Sequence, residues 1–138
     1  MTPSRVDVEE ELRAFEAGEI DPAKFSHHEH VRLGFEMLCA HPFGETVTRF
    51  ARGLRHLTRK VARPQLYHET ITVAFLALIA ERRAKTSCPY WDDFIRQNSD
   101  LLDKDVLLGW YSPEQLQSEP ARRTFCLPAP GRSPQFTS

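Results

Sequence analysis

The sequence predicts an all-α fold, an up-and-down bundle of about four main helices with short helices added at its C-terminal end. Apolar residues recur at spacings of three and four in four successive segments, the period of a helix buried on one side. Serines, prolines and a glycine stand where helix starts and stops are needed, and the alternation that marks a half-buried strand is nearly absent. Connections of a few residues join the second, third and fourth segments, which makes consecutive helices antiparallel.

Ser4 precedes VDVEEELRAFEA, in which Val8, Leu12 and Phe15 share a face, and Gly18 supplies a stop; this is a first helix over residues 5–17. Asp21-Pro22 reads as a cap and a first helical proline, a short turn leading to Ser26. Ser26 and Glu29 have the S-x-x-E spacing of a capping box, so a second helix begins at His27 and runs to Ala40, before His41-Pro42. Phe43, Val47, Phe50, Leu54, Leu57 and Val61 form the seam of a third helix over 43–62, ended by Arg63-Pro64. A fourth helix over 65–84 carries Ile71, Ala74, Phe75, Leu78 and Ile79 and is apolar enough to be the central, most buried one. SCPYWDDFIRQ, SDLLDKDVLLG and SPEQLQSEPAR each read as short capped helices, and the prolines and glycine after Leu127 predict an irregular or disordered tail over 128–138. Residues 1–127 are expected to form a single helical domain.

Composition narrows the classes of function. The 138 residues are 41% hydrophobic and 27% charged with a formal net charge of -1, so no global field draws the chain to nucleic acid or to an anionic membrane. Three widely spaced cysteines without C-x-x-C suggest neither a disulfide framework nor a cysteine zinc site, and a reducing cytoplasm fits them best. The most apolar run, ITVAFLALIA, is about half the ~20 residues a membrane span needs, and the acidic start MTPSRVDVEEEL lacks a signal-peptide core.

Antiparallel neighbours leave the second and fourth helices parallel, with their starts at one end of the bundle. FSHHEHVR, residues 25–32, and YHETIT, residues 67–72, are then expected to meet in space. His27 and His30 share a helix face while His28 points elsewhere, so His27, His30 and His68 are candidate metal ligands. Three imidazoles suit zinc or iron(II), with open positions for water or substrate. Glu69 is a candidate general base or further ligand, His68 a shared catalytic residue, and Arg32 and Tyr67 candidates for holding an anionic or oxygen-bearing substrate group. The pattern is not H-E-x-x-H and lacks the paired Glu-x-x-His of di-iron bundles.

Two other readings stand beside the metal site. In one, the cluster is architecture: Glu29 completes a cap, His28 faces solvent, and His27 and His68 are hydrogen-bonded at the rim of the core. In the other, no metal is needed. Two helix starts and the basic end of the third helix, with Arg59, Lys60 and Arg63, form a pocket for a phosphate or carboxylate. That field also keeps the histidines neutral.

Arg49, Arg52, Arg55, Arg59, Lys60 and Arg63 give the third helix a basic face that could meet nucleic acid phosphates. Pairing with the acidic first helix, through Glu9, Glu10, Glu11 and Glu16, is the stronger expectation. Trp91, Trp110 and Tyr111 either close the pocket as a lid or fasten short helices to the bundle. Ser112 reads as a helix cap before Pro113 rather than a nucleophile, and Cys39 as packing.

FSHHEHVR, YHETIT and YSPEQLQSEPARRTF, in this order, resemble a pattern of small bacterial all-α proteins, over Phe25 to Phe125. The resemblance implies a stand-alone bacterial domain in which the two histidine motifs belong together, and it brings no activity with it. The function expected from the residues is a small cytoplasmic enzyme acting on a small, anionic molecule at this histidine-rich site, metal-dependent or metal-free. Hydrolase and oxygenase chemistry are not distinguished. The alternative is a non-catalytic module that binds a small molecule or a protein, with nucleic acid as its minor form and a homo-oligomer left open.

Overall fold

The computed structural model describes residues 4–130. Among these the chain forms seven α-helices and no strand: α1 Arg5–Ala17, α2 His27–Ala40, α3 Phe43–Lys60, α4 Glu69–Lys85, α5 Trp91–Gln97, α6 Pro113–Leu116 and α7 Glu119–Arg123. Short 3-10 turns lie between them at Pro22–Lys24, Pro64–Leu66, Ser99–Leu102 and Val106–Gly109. No helix among the described residues is long and apolar enough to cross a membrane. Residues 127–130 carry no helix, and the rest of the expected irregular tail, 131–138, lies outside the described residues.

The first four helices form the up-and-down bundle. Arg5 and Arg32 reach Glu36 and Glu11 respectively, which sets α1 antiparallel to α2. Thr46 Oγ1 donates to the carbonyls of Met37 and His41, and Phe50 packs on His30, so α2 and α3 are also antiparallel. Gly34 of α2 lies beside Leu76 and Ile79, and Arg83 of α4 donates to the Leu38 carbonyl; both contacts advance together along the chain, so α2 and α4 are parallel. One continuous apolar cluster runs from Val8 to Tyr111, with Phe15, Phe35, Phe50 and Phe94 fully buried in it. Deleting any of these rings costs about 3–5 kcal/mol.

The central position belongs to α2, not to α4 as the apolar content of the fourth segment suggests. α2 packs against α1, α3, α4 and α5, and buries Val31, Leu33, Gly34, Phe35, Met37 and Leu38. One side of α4 is instead covered by the short α7 and by the 3-10 turn at Val106–Gly109.

Two glycines are required by geometry. Gly18 ends α1 with φ 78°, in the left-handed region, and its N–H caps the carbonyls of Ala14 and Phe15. Gly53 lets α3 approach α1 so closely that a Cβ there would lie 2.4 Å from Phe15 Cε2. A mid-helix glycine normally costs ~1 kcal/mol, and here it makes room for a buried ring.

Candidate functional site

Helix α4 starts later than the sequence suggests, and this alters the role of His68. Pro64–Leu66 forms a separate 3-10 turn, and α4 begins at Glu69 with His68 as its N-cap. His68 Nδ1 accepts from the Ile71 N–H at 3.1 Å, doing with an imidazole nitrogen what serine or aspartate oxygen usually does. Nδ1 is therefore unprotonated, so Nε2 carries the proton and donates to the Leu116 carbonyl at 2.6 Å. Both nitrogens are thus committed to backbone partners.

His27 and His30 stand together on α2. Their rings are 6.1 Å apart, and both pack on Phe75, at 5.1 and 6.3 Å. Phe75 is seven residues beyond His68, roughly 10 Å up α4 at 1.5 Å per residue. The helix starts point the same way, as expected, and Gly34 beside Leu76 and Ile79 sets His27 about level with the opening turn of α4; the side chains part because His68 turns to Leu116 and His27 to Leu101. His27 Nε2 bonds the Leu101 carbonyl at 3.0 Å, and His30 is enclosed by Phe25, Phe50, Phe75 and His27. The three histidines expected to share one ion have separate surroundings: the Leu101 carbonyl for His27, aromatic rings for His30, and Ile71 with Leu116 for His68. Among the described residues no group of three His, Cys, Asp or Glu side chains is arranged to hold a metal. His30 is held neutral, its pKa pushed down to about 4 by burial and then by His27.

Arg32 is likewise occupied. It donates to Glu29 at 2.8 Å and 2.9 Å and to Glu11, linking α1 to α2, and its guanidinium holds the Glu29 carboxyl below its usual range. Glu29 consequently completes only half of the expected capping box: Ser26 Oγ accepts from the Glu29 N–H, while the carboxylate turns to Arg32. The two residues expected to position substrate, Arg32 and Tyr67, line different clefts.

What YHETIT organises is a basic cleft. Tyr67 lines it, with Arg55 stacked 4.3 Å over the ring. Glu69 accepts from the Tyr67 hydroxyl at 2.5 Å and sits 3.9 Å from Arg55; burial first, and then this carboxylate, push the Tyr67 pKa up to about 12, so the phenol keeps its proton. His68 holds α6 through Leu116, and Thr70 donates to the Thr124 carbonyl while accepting from the Cys126 N–H. These bonds fix the segment carrying α7, which forms the far wall of the cleft.

The cleft has a volume of about 710 Å³, within the range of small-molecule sites. Arg55, Thr58 and Arg59 of α3 form one wall, Glu119, Arg122 and Arg123 of α7 the other, and Pro64 to Tyr67 the floor. Arg122 donates to the Gln65 carbonyl at 2.8 Å, tying the α7 wall to the floor. Four guanidiniums thus face two carboxylates, Glu119 and Glu69, and among the described residues Arg59 has no acidic partner. Lys60, expected at the same end, donates instead to the Ile20 carbonyl. The other half of the basic helix face is neutralised by α1, where Arg49 and Arg52 meet Glu16 at 3.2 and 3.5 Å.

Arg122 and Arg123 were not legible as site residues. Their one signal is the Arg pair following two Ser-Pro-like helix starts in the segment that accompanies YHETIT. The C-terminal aromatic residues are not around this cleft. Trp91 packs on Phe35 and His28, Tyr111 donates to the Cys126 carbonyl at 2.7 Å, and Trp110 lines a small apolar depression on α4. Ser112 caps α6 by accepting from the Gln115 N–H.

No family model, curated protein or solved structure matches the chain.

Proposed function

We propose that the chain binds a small acidic molecule, phosphorylated or carboxylated, in the cleft between α3 and α7. The observation that carries this reading is the convergence of Arg55, Arg59, Arg122 and Arg123 on one cleft in a chain whose overall formal charge is -1. Guanidinium forks suit phosphate and carboxylate oxygens, often in pairs of parallel bonds. Leu66, 53% exposed on the floor, offers an apolar surface to the rest of such a ligand.

The role supported is binding rather than catalysis. Tyr67 stays protonated, and Glu69 is engaged by Tyr67 and Arg55, so neither is poised as a base. A metal-dependent enzyme would draw on His27, His30 and His68, of which His27 is bonded to the Leu101 carbonyl and His68 through both nitrogens.

The test is calorimetric titration with pyrophosphate and with citrate as probes. Saturable binding is expected, weakened at least tenfold by Arg59→Gln and by Arg123→Gln, and unchanged by Arg96→Gln, which pairs with Asp93 on α5. Affinity should also fall as salt is raised. Absence of saturable binding by either probe, or equal binding by all four proteins, would reject the reading.

A further inference from the structure

Among the described residues Glu119 is the acid that lines the cleft directly, Glu69 lying behind Tyr67 and Arg55, and it is 3.2 Å from Arg123 Nε and 3.9 Å from Arg122 Nε. Both arginines belong to the same wall, so the carboxylate stands where an incoming anion would find its donors. The pairs are i,i+3 and i,i+4 on a short helix, and the groups are well exposed: 65% for Glu119 and 80% for Arg123. Exposed pairs of this kind are weak and readily exchanged for a better partner. The opposite wall is different, because Arg55 is stacked on Tyr67 and faces Glu69, whose side chain is 28% exposed. The cleft therefore has a fixed wall on α3 and an exchangeable one on α7.

From this the geometry points to Glu119 as an internal competitor: its carboxylate occupies the anion position beside Arg122 and Arg123, and a bound ligand's phosphate or carboxylate group displaces it. The proposal rests on the cleft being an anion site. It assigns the anionic head of the ligand to the α7 wall and makes Glu119 the residue that sets the affinity threshold. A weakly charged molecule then fails to displace the internal carboxylate, whereas a multiply charged one succeeds. Because Ser118 caps α7 through the Ala121 N–H and Arg122 holds the Gln65 carbonyl, the backbone of the wall stays in place while the carboxylate swings out.

The experiment is titration of wild type, Glu119→Gln, Arg123→Gln and the double variant with pyrophosphate. Glu119→Gln is expected to bind about threefold to fivefold more tightly, the size an exposed ion pair can supply. In the Arg123→Gln background that gain should vanish, since the competed donor is gone. Unchanged or weaker binding by Glu119→Gln would overturn the competitor role while leaving the anion site intact. A gain that persists undiminished without Arg123 would also overturn it, because it would then be a through-space charge effect. No saturable binding in wild type and in Glu119→Gln would reject the anion site itself. Backbone amide spectra of each variant check that α7 remains docked.

Discussion

His68 Nε2 and the carbonyl oxygen of Leu116 are 2.6 Å apart, so a histidine at the start of α4 is the clasp that holds α6 and, through it, the α7 wall of the cleft. The same ring caps α4 through Ile71. His68→Ala removes both bonds and leaves the backbone groups at a partly buried site without partners. A loss of about 2 kcal/mol in urea unfolding is expected. His68→Asn retains a capping oxygen but is too short to reach Leu116, so about half of the loss should be recovered. Equal stability of the alanine and asparagine variants would show that the cap contributes nothing.

That double role explains what could be read in advance and what could not. The bounds of α1 and α2 were legible because Ser4, Ser26, Gly18 and His41-Pro42 are strong local signals that the chain obeys. The start of α4 was not, because an imidazole is an uncommon cap and the fourth helix was expected to open at residue 65, directly after Arg63-Pro64 ended the third. Meeting of the histidine motifs depended on the partners each side chain finds as well as on direction. Direction follows from short connections, whereas the turning of His27 to the Leu101 carbonyl and of His68 to the Leu116 carbonyl depends on where distant segments dock, which no local pattern encodes. The α7 wall was out of reach for the same reason: short helices dock where distant backbone groups, such as those of Thr124 and Gln65, find partners.

The enclosed His30 makes stability sensitive to acid. Its pKa is about 4 in the folded chain against 6.5 when unexposed to these neighbours, so between those values the unfolded state binds more protons. The contribution is fully present above about pH 6.5 and is lost as pH falls towards 4, by ~3 kcal/mol in all. His30→Phe places a similar ring among Phe25, Phe50 and Phe75 without a titrating group. Unfolding free energies at pH 7 and pH 4.5 should therefore differ less in the variant than in wild type; an identical pH dependence would refute the assignment.

Chelation gives an independent check on the histidines. With His68 committed to Ile71 and Leu116 and the His27–His30 pair set against Phe75, protein dialysed against EDTA should melt within a degree of untreated protein. A marked zinc-dependent rise in Tm that disappears in His27→Ala would contradict this and point to a metal held by the α2 histidines.

Gly53→Ala tests the close approach of α1 to α3, and two effects of opposite sign compete there. Alanine is the better helix former by about 1 kcal/mol in the middle of α3. Its Cβ, however, would lie 2.4 to 2.7 Å from three ring carbons of Phe15, a side chain with no exposed surface, stacked on Phe25 and tilted against Phe50. The ring has no free direction to retreat, so α1 must move away from α3, and overpacking of this kind costs about 1–3 kcal/mol. The clash should win, giving a net loss of about 1–2 kcal/mol in denaturant unfolding. Phe15→Leu, combined with Gly53→Ala, should recover part of that loss, because the smaller side chain vacates the space the methyl needs. A stabilised Gly53→Ala single variant would mean that α1 and α3 sit further apart than the Phe15–Gly53 contact implies.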